Sequence, residues 1–239
     1  PDVYQKRMWR VVENGDDHVT FLLHSPDGDQ GYPGALDMKV TYTLDEENGL
    51  TIHYEAVPDQ DTVINMTNHS YFNLNGHKSG SVLHHRMQLL SDAFTPADAQ
   101  SIPTGEVCSV DGTPMDFRST KELGAEIDAA YEPLILGNGY DHNWVLKNEG
   151  RFDKVAEVTG DESGIVMEVW TDRPGVQVYT ANFLENEAGR NGAVYQKRDA
   201  VCLETQNYPD AVHQKNFPEA ICKKGETYDT KTAYRFHIE

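Results

Sequence analysis

Three short stretches carry residue types that could do chemistry. The first is Asn65-Met66-Thr67-Asn68-His69-Ser70-Tyr71-Phe72-Asn73-Leu74-Asn75-Gly76-His77. Its amides, imidazoles and hydroxyls offer donors and acceptors to a polyhydroxylated ligand, and Tyr71 and Phe72 could add an aromatic face. A turn-rich loop whose Asn side chains satisfy their own backbone explains the same composition, and on composition alone that explanation is the better one. The second is Gly139-Tyr140-Asp141-His142-Asn143-Trp144, where Asp141 could hold hydroxyls or orient the neighbouring imidazole. An Asp that opens a turn before a strand is the plainer account. The third is Cys202-Leu203-Glu204-Thr205-Gln206-Asn207-Tyr208-Pro209. On a strand Cys202 and Glu204 share a face, so a buried thiol would place the carboxylate toward an interior. Desolvation there penalises the charge and raises the pKa toward the range of a general base. A solvent-exposed strand Glu fits equally well.

Other chemistries lack their signatures. The sequence has no G-x-S-x-G, no phosphate-binding glycine loop and no H-E-x-x-H. His84 and His85 are adjacent, so on a strand they point to opposite faces and do not share a metal. Cys108, Cys202 and Cys222 are odd in number and widely spaced, which is neither a disulfide framework nor a zinc pattern. No set of His, Cys and carboxylate residues has ligand spacing, so no metal and no cofactor are expected.

The elements that must position these groups read as strands. Leu36, Met38, Val40, Tyr42 and Leu44 alternate with polar residues, as do Leu50, Ile52, Tyr54 and Ala56, and Asp45-Glu46-Glu47-Asn48-Gly49 between them predicts a hairpin turn. Val19 to His24, Val201 to Thr205 and Ala233 to Ile238 are further strands. Ile165 to Trp170 and Val176 to Ala181 read as a pair joined by a turn at Thr171 to Gly175. One short helix is predicted over Ser119 to Ile127, with Ser119 or Thr120 as its N-cap. The long, turn-rich connection from Ser91 to Tyr140 is expected to wall the binding site. Short strands between Gly and Pro turns predict an all-β, antiparallel sandwich or barrel, and with no repeat or linker, one domain over residues 1–239.

The 239 residues carry a net charge of −19, from 20 Lys and Arg against 39 Asp and Glu. Such a chain is repelled by nucleic acid and by anionic membranes. A neutral small molecule fits best. Without a signal peptide or an apolar run of about 18–20 residues, and with reduced thiols, a cytoplasmic protein is expected.

Taken together, the clusters resemble the aldose 1-epimerases. Asn68-His69-Ser70-Tyr71-Phe72-Asn73-Leu74 is similar to that family's most recognisable motif. Gly31-Tyr32-Pro33-Gly34, Gly139-Tyr140-Asp141-His142, Pro174 to Phe183, Leu203-Glu204-Thr205-Gln206, Asn216-Phe217-Pro218 and Gly225-Glu226-Thr227-Tyr228 follow in the family's order. The resemblance implies a large antiparallel β-sandwich, the galactose mutarotase-like supersandwich. It implies that the chain interconverts the α and β anomers of a neutral hexose such as galactose or glucose. Glu204 would be the base at the anomeric hydroxyl and His69 the acid at the ring oxygen. Asp141 would hold sugar hydroxyls, with Asn68 and Gln177 among the sugar-binding groups. The family also uses an upstream Arg and a His in a His-Gly-Gly stretch; neither has a counterpart here, and the chain is expected to start after that segment. Two rival functions are a glycoside hydrolase with Glu204 and Asp141 as paired carboxylates, and a sugar-binding protein without turnover.

Overall fold

A computed structural model describes residues 3–239; Pro1 and Asp2 lie outside the described residues. The strands are β1 (Arg10–Asn14), β2 (His18–Ser25), β3 (Leu36–Leu44), β4 (Gly49–Pro58), β5 (Thr62–Val63), β6 (Arg86–Leu89), β7 (Ala93–Thr95), β8 (Cys108–Ser109), β9 (Lys121–Glu122), β10 (Asp141–Val145), β11 (Asp153–Thr159), β12 (Ile165–Thr171), β13 (Gly175–Tyr179), β14 (Glu187–Ala188), β15 (Val194–Tyr195), β16 (Cys202–Gln206), β17 (Ile221–Cys222) and β18 (Tyr228–Ile238). Nine form one sheet in the order β1-β2-β3-β4-β18-β12-β11-β6-β9, and five form another in the order β16-β13-β10-β7-β8. Neighbours run antiparallel, and one apolar core joins the sheets: Ile52, Met87, Val158 and Tyr234 from the large sheet meet Phe94, Trp144, Val178 and Leu203 from the small one. The fold is a large antiparallel β-sandwich. Among the described residues no helix is long and apolar enough to cross a membrane.

The hairpin of β3 and β4 forms where alternation places it, with Leu44 opposite Leu50. Asp45 closes the turn, its Oδ1 accepting the Glu47 and Gly49 amides at 3.0 and 2.6 Å, and Asn48 takes the left-handed conformation, φ 61°.

Two expectations fail. The segments around Thr171 to Gly175 are not a hairpin: β12 pairs with β11 and β18, whereas β13 pairs with β10 and β16. The turn is an arch between the two sheets. The Asn148 amide, buried under it, donates to the Thr171 and Arg173 carbonyls at 2.8 and 3.0 Å, which supplies hydrogen bonds that a hairpin partner would have made. The helix expected over Ser119 to Ile127 is also absent. Lys121 and Glu122 pair with β6, and the Leu123 and Gly124 amides continue onto the His85 and Leu83 carbonyls at 2.9 and 2.7 Å. A Cβ on Gly124 would sit 2.9 Å from the Leu83 carbonyl oxygen, so the close approach requires glycine. Among the described residues the one α-helix lies later, at Glu132–Gly137, with Pro133 in its first turn and Asn138 ending it at φ 53°.

Candidate active site

The middle of the five-stranded sheet provides a floor. Register sets Asp141 opposite Tyr179 and Tyr179 opposite Cys202; in the next row Asn143 faces Gln177 and Gln177 faces Glu204. Side chains two apart on one strand and directly paired across strands share a face, so these six form a polar grid. The opposite face carries His142, Trp144, Val176, Val178, Leu203 and Thr205 into the core. The Asp141 and His142 side chains therefore point apart, and it is the Asp141 backbone N–H, donating to His142 Nδ1 at 3.1 Å, and not the carboxylate, that meets the neighbour's ring. Burial pushes the His142 imidazole down to about 4, so it is a neutral core residue.

The segment before β6 lies along the edge of β16 and is fastened at both ends. Asn65 exchanges hydrogen bonds with Asn207, accepting its amide at 2.8 Å and donating to its carbonyl at 3.1 Å. Phe72 and Val201 exchange both backbone bonds at 2.9 Å. Asn73 donates to the Gly80 and Asp199 carbonyls, and Leu74 donates to the buried His85 ring at 3.0 Å. Asn65 and Asn73 thus serve the backbone, as their composition suggests. Between the clamps, His69 and Tyr71 lean over the floor.

The result is an open cavity of about 400 Å³ whose wall includes His69, Tyr71, Asp141, Gln177, Tyr179 and Glu204, closed off by Gln206, Pro209, Phe183 and Ser101. His69 Nε2 lies 3.2 Å from Glu204 Oε1. Burial, and after it the charge of Asp141, pushes the Glu204 carboxyl up to about 7. Burial also raises the Asp141 carboxyl, although Gln177 Nε2 donates to its Oδ1 at 2.8 Å and His69 opposes the shift. The Gln177 carbonyl oxygen is buried and unpartnered, a free acceptor beside the acidic pair. Four of the five residues expected from the sequence thus converge.

Asn68 does not join them. Its side chain is turned inward to Tyr234 of β18, and it lies outside the cavity wall. The Tyr234 hydroxyl is 3.0 Å from the Asn68 amide and 3.0 Å from the Leu203 carbonyl. The hydroxyl can donate to either of two acceptors, Asn68 Oδ1 and the Leu203 carbonyl. Asn68 is a strut under His69, because on this extended stretch alternate residues face opposite ways.

Among the described residues one group of potential metal-ligand atoms gathers: a His69 nitrogen, Cys202 Sγ and a Glu204 oxygen, within 4.8 Å of one another. Sequence spacing could not reveal it, since His69 comes from a different segment. Burial, then the charges of Glu204 and Asp141, pushes the Cys202 thiol far above its usual range, so it is a protonated S–H and not a thiolate ligand. The set reads as an imidazole–carboxylate pair above a neutral thiol. Sequence reasoning also left Tyr179 and Gln206 without roles. Gln206 follows Glu204 by two, so period two could have found it; nothing local marks Ser101, the single wall residue from the long connection between Ser91 and Tyr140.

The arrangement has relatives. Galactose mutarotase of Homo sapiens is 45% identical across 98% of this chain and 67% of its own length. Aldose 1-epimerase of Escherichia coli (strain K12) is 37% identical across the whole chain and 69% of its own. The chain spans about two thirds of these relatives. Among solved structures, an aldose epimerase homologue from C. elegans superposes with a TM-score of 0.87 at 29% identity, covering 97% of this chain and 69% of that one. The profile of the aldose 1-epimerase family matches residues 2–235, and the chain belongs to that family.

Proposed function

We propose that this chain is an aldose 1-epimerase that interconverts the anomers of a neutral aldohexose such as galactose or glucose, with Glu204 as base and His69 as acid. Galactose mutarotase and aldose 1-epimerase among its relatives support the reaction class. The observation that carries the residue roles is the 3.2 Å contact between an imidazole nitrogen and a carboxylate oxygen that burial holds near neutral pKa. General acid–base work at neutral pH needs such groups within reach of one another's substrate atoms.

The steps balance. Glu204 takes the proton from the anomeric hydroxyl as the protonated His69 gives one to the ring oxygen. The C1–O5 bond breaks and C1 becomes an aldehyde carbonyl. Rotation about C1–C2 presents its other face, and the same transfers in reverse close the ring as the opposite anomer. Asp141, held by Gln177, accepts sugar hydroxyls, and the free Gln177 carbonyl takes another. Both sheets feed one core, which supports reading the chain as a single unit.

Polarimetry on freshly dissolved α-D-galactose tests the reading. The protein should speed the approach to the equilibrium rotation. No acceleration at substrate-saturating concentration would sink it, and release of nitrophenol from a nitrophenyl galactoside would redirect it to hydrolysis.

A further inference from the structure

The contact that identifies the acid–base pair also poses a difficulty for it. Each group must come within about 2.6–3.2 Å of its own substrate oxygen. At 3.2 Å from each other, His69 Nε2 and Glu204 Oε1 satisfy one another rather than a substrate oxygen each. The two groups are paired with each other, and a bound sugar would have to take over their contact. Glu204 projects from β16, is largely buried, and stays with its strand. His69 lies outside any strand with half its side chain exposed, so it is the partner that moves. Among the described residues Glu204 is the ring's one ion-pair partner. Beside that contact the ring has the charge of Asp141 nearby and two aromatic neighbours. Tyr71 stacks on the imidazole with ring centres 4.8 Å apart and planes 22° from parallel. Tyr179 meets both rings edge-on, at 5.9 and 6.3 Å. Tyr179 is itself fixed: it is buried in β13, and its hydroxyl accepts the Phe183 amide at 3.1 Å.

We infer that Tyr71 is a positioning residue for the epimerase reaction: its ring, backed by Tyr179, is the rail along which the His69 imidazole slides away from Glu204 to the ring oxygen of the sugar without tilting. Stacked rings shear past one another more easily than they change plane. The Tyr71 hydroxyl takes no part; burial, chiefly, pushes it up to about 12, and it keeps its proton. Tyr71 thus belongs to the acid rather than to the sugar, although it stands in the cavity wall.

The inference rests on the proposed reaction, and the experiment separates the two. Mutarotation of α-D-galactose is measured for the parent, Tyr71→Phe, Tyr71→Leu, His69→Gln and the double variant His69→Gln/Tyr71→Leu. Tyr71→Phe keeps the stack and should stay within about threefold of the parent. Tyr71→Leu should lower kcat by about 10–100-fold while KM moves less than about threefold, because misplacing a catalytic group costs turnover rather than binding. In the His69→Gln background the Leu substitution should cost nothing further, since the ring it guides is gone. A Tyr71→Leu rate within twofold of the parent overturns the inference, as does an equal loss in both backgrounds or a Phe variant as poor as Leu. A parent without activity sinks the proposed reaction instead. The His69 ring proton resonances then judge the rail: they should be shifted upfield in the parent and Tyr71→Phe and lose that shift in Tyr71→Leu, and unchanged shifts would overturn it.

Discussion

The outer strands of the large sheet and the middle strands of the small one follow the same two-residue alternation and spend it differently. In β1 all five residues are exposed, and in β3 only Met38 is buried, so one whole face of that corner is wet. In β13 and β16 every residue is buried except one, and the two exceptions are Gln177 and Glu204. The outer strands present a surface; the inner ones present a window. A carboxylate on the first is solvated on all sides, while one in the second pays for its position with a raised pKa. A carboxylate with a pKa raised toward neutrality therefore needs a strand covered on both faces and opened at one point.

The sharpest way to break this contrast is to treat the two kinds of carboxylate alike. Glu204→Gln keeps the shape and loses the proton acceptor, so kcat should fall by about 10²–10⁴-fold. Glu55→Gln on β4, in the wet sheet, should leave the rate unchanged. The same pair should differ in stability. Glu204 titrates in the fold at about 7, above its ordinary 4.5. Its protonated form is the one the fold prefers, so the cost of charging it is absent below 4.5, grows as pH rises toward 7 and is complete above. Glu204→Gln should thus be more stable than the parent by about 1–3 kcal/mol at pH 8 and equal to it at pH 4, by urea denaturation. Glu55→Gln should stay within about 0.5 kcal/mol at both. A destabilised Glu204→Gln would mean the window is not a costly place for charge.

His69→Gln comes next, with an expected loss of about 10²–10³-fold. The parent rate should fall at high pH, where the acid has lost its proton, and the residual rate of the variant should lack that fall. Persistence of the alkaline limb would assign the acid elsewhere.

A smaller effect concerns the acid limb. The titratable groups that interact with Glu204 are His69, Asp141, Cys202, Tyr71 and Tyr234. Of these, Asp141 raises its pKa. Asp141→Asn should move the acid limb of kcat/KM to lower pH, besides weakening sugar binding. A limb that moves up would contradict the electrostatics of the floor. The smallest expected effect is none: dialysis against EDTA should leave the mutarotation rate unchanged, and a loss restored by zinc would make the His69, Cys202 and Glu204 cluster a metal site.

Legibility in the sequence followed the same division. Strands β3 and β4 announce themselves because water on one side enforces alternation, and Asp45 and Asn48 give their turn away. The inner strands share their polar minority with the site, so Glu204 could be suspected from Cys202 two residues earlier, yet an exposed strand Glu would have looked no different. Pairing was harder to see. Nothing in Thr171 to Gly175 tells an arch from a hairpin, since the deciding hydrogen bonds come from Asn148, distant in sequence. Residues 119–127 have the makings of a short helix, but the backbone of β6 and Leu83 takes their amides first. Asn68 was assigned with its motif, and only Tyr234 reveals that it faces the other way.

That tyrosine sets a tolerance. One oxygen atom on β18 touches the residue before His69 and the residue before Glu204. The two halves of the acid–base pair are thereby gauged from a common datum, and it belongs to neither of their segments but to the opposite sheet. Errors in the placement of β18 displace both groups together and leave the gap between them intact, whereas loss of the hydroxyl frees each to drift alone. The outer sheet, which contributes no residue to the cavity wall, is the ruler against which the distance across it is kept.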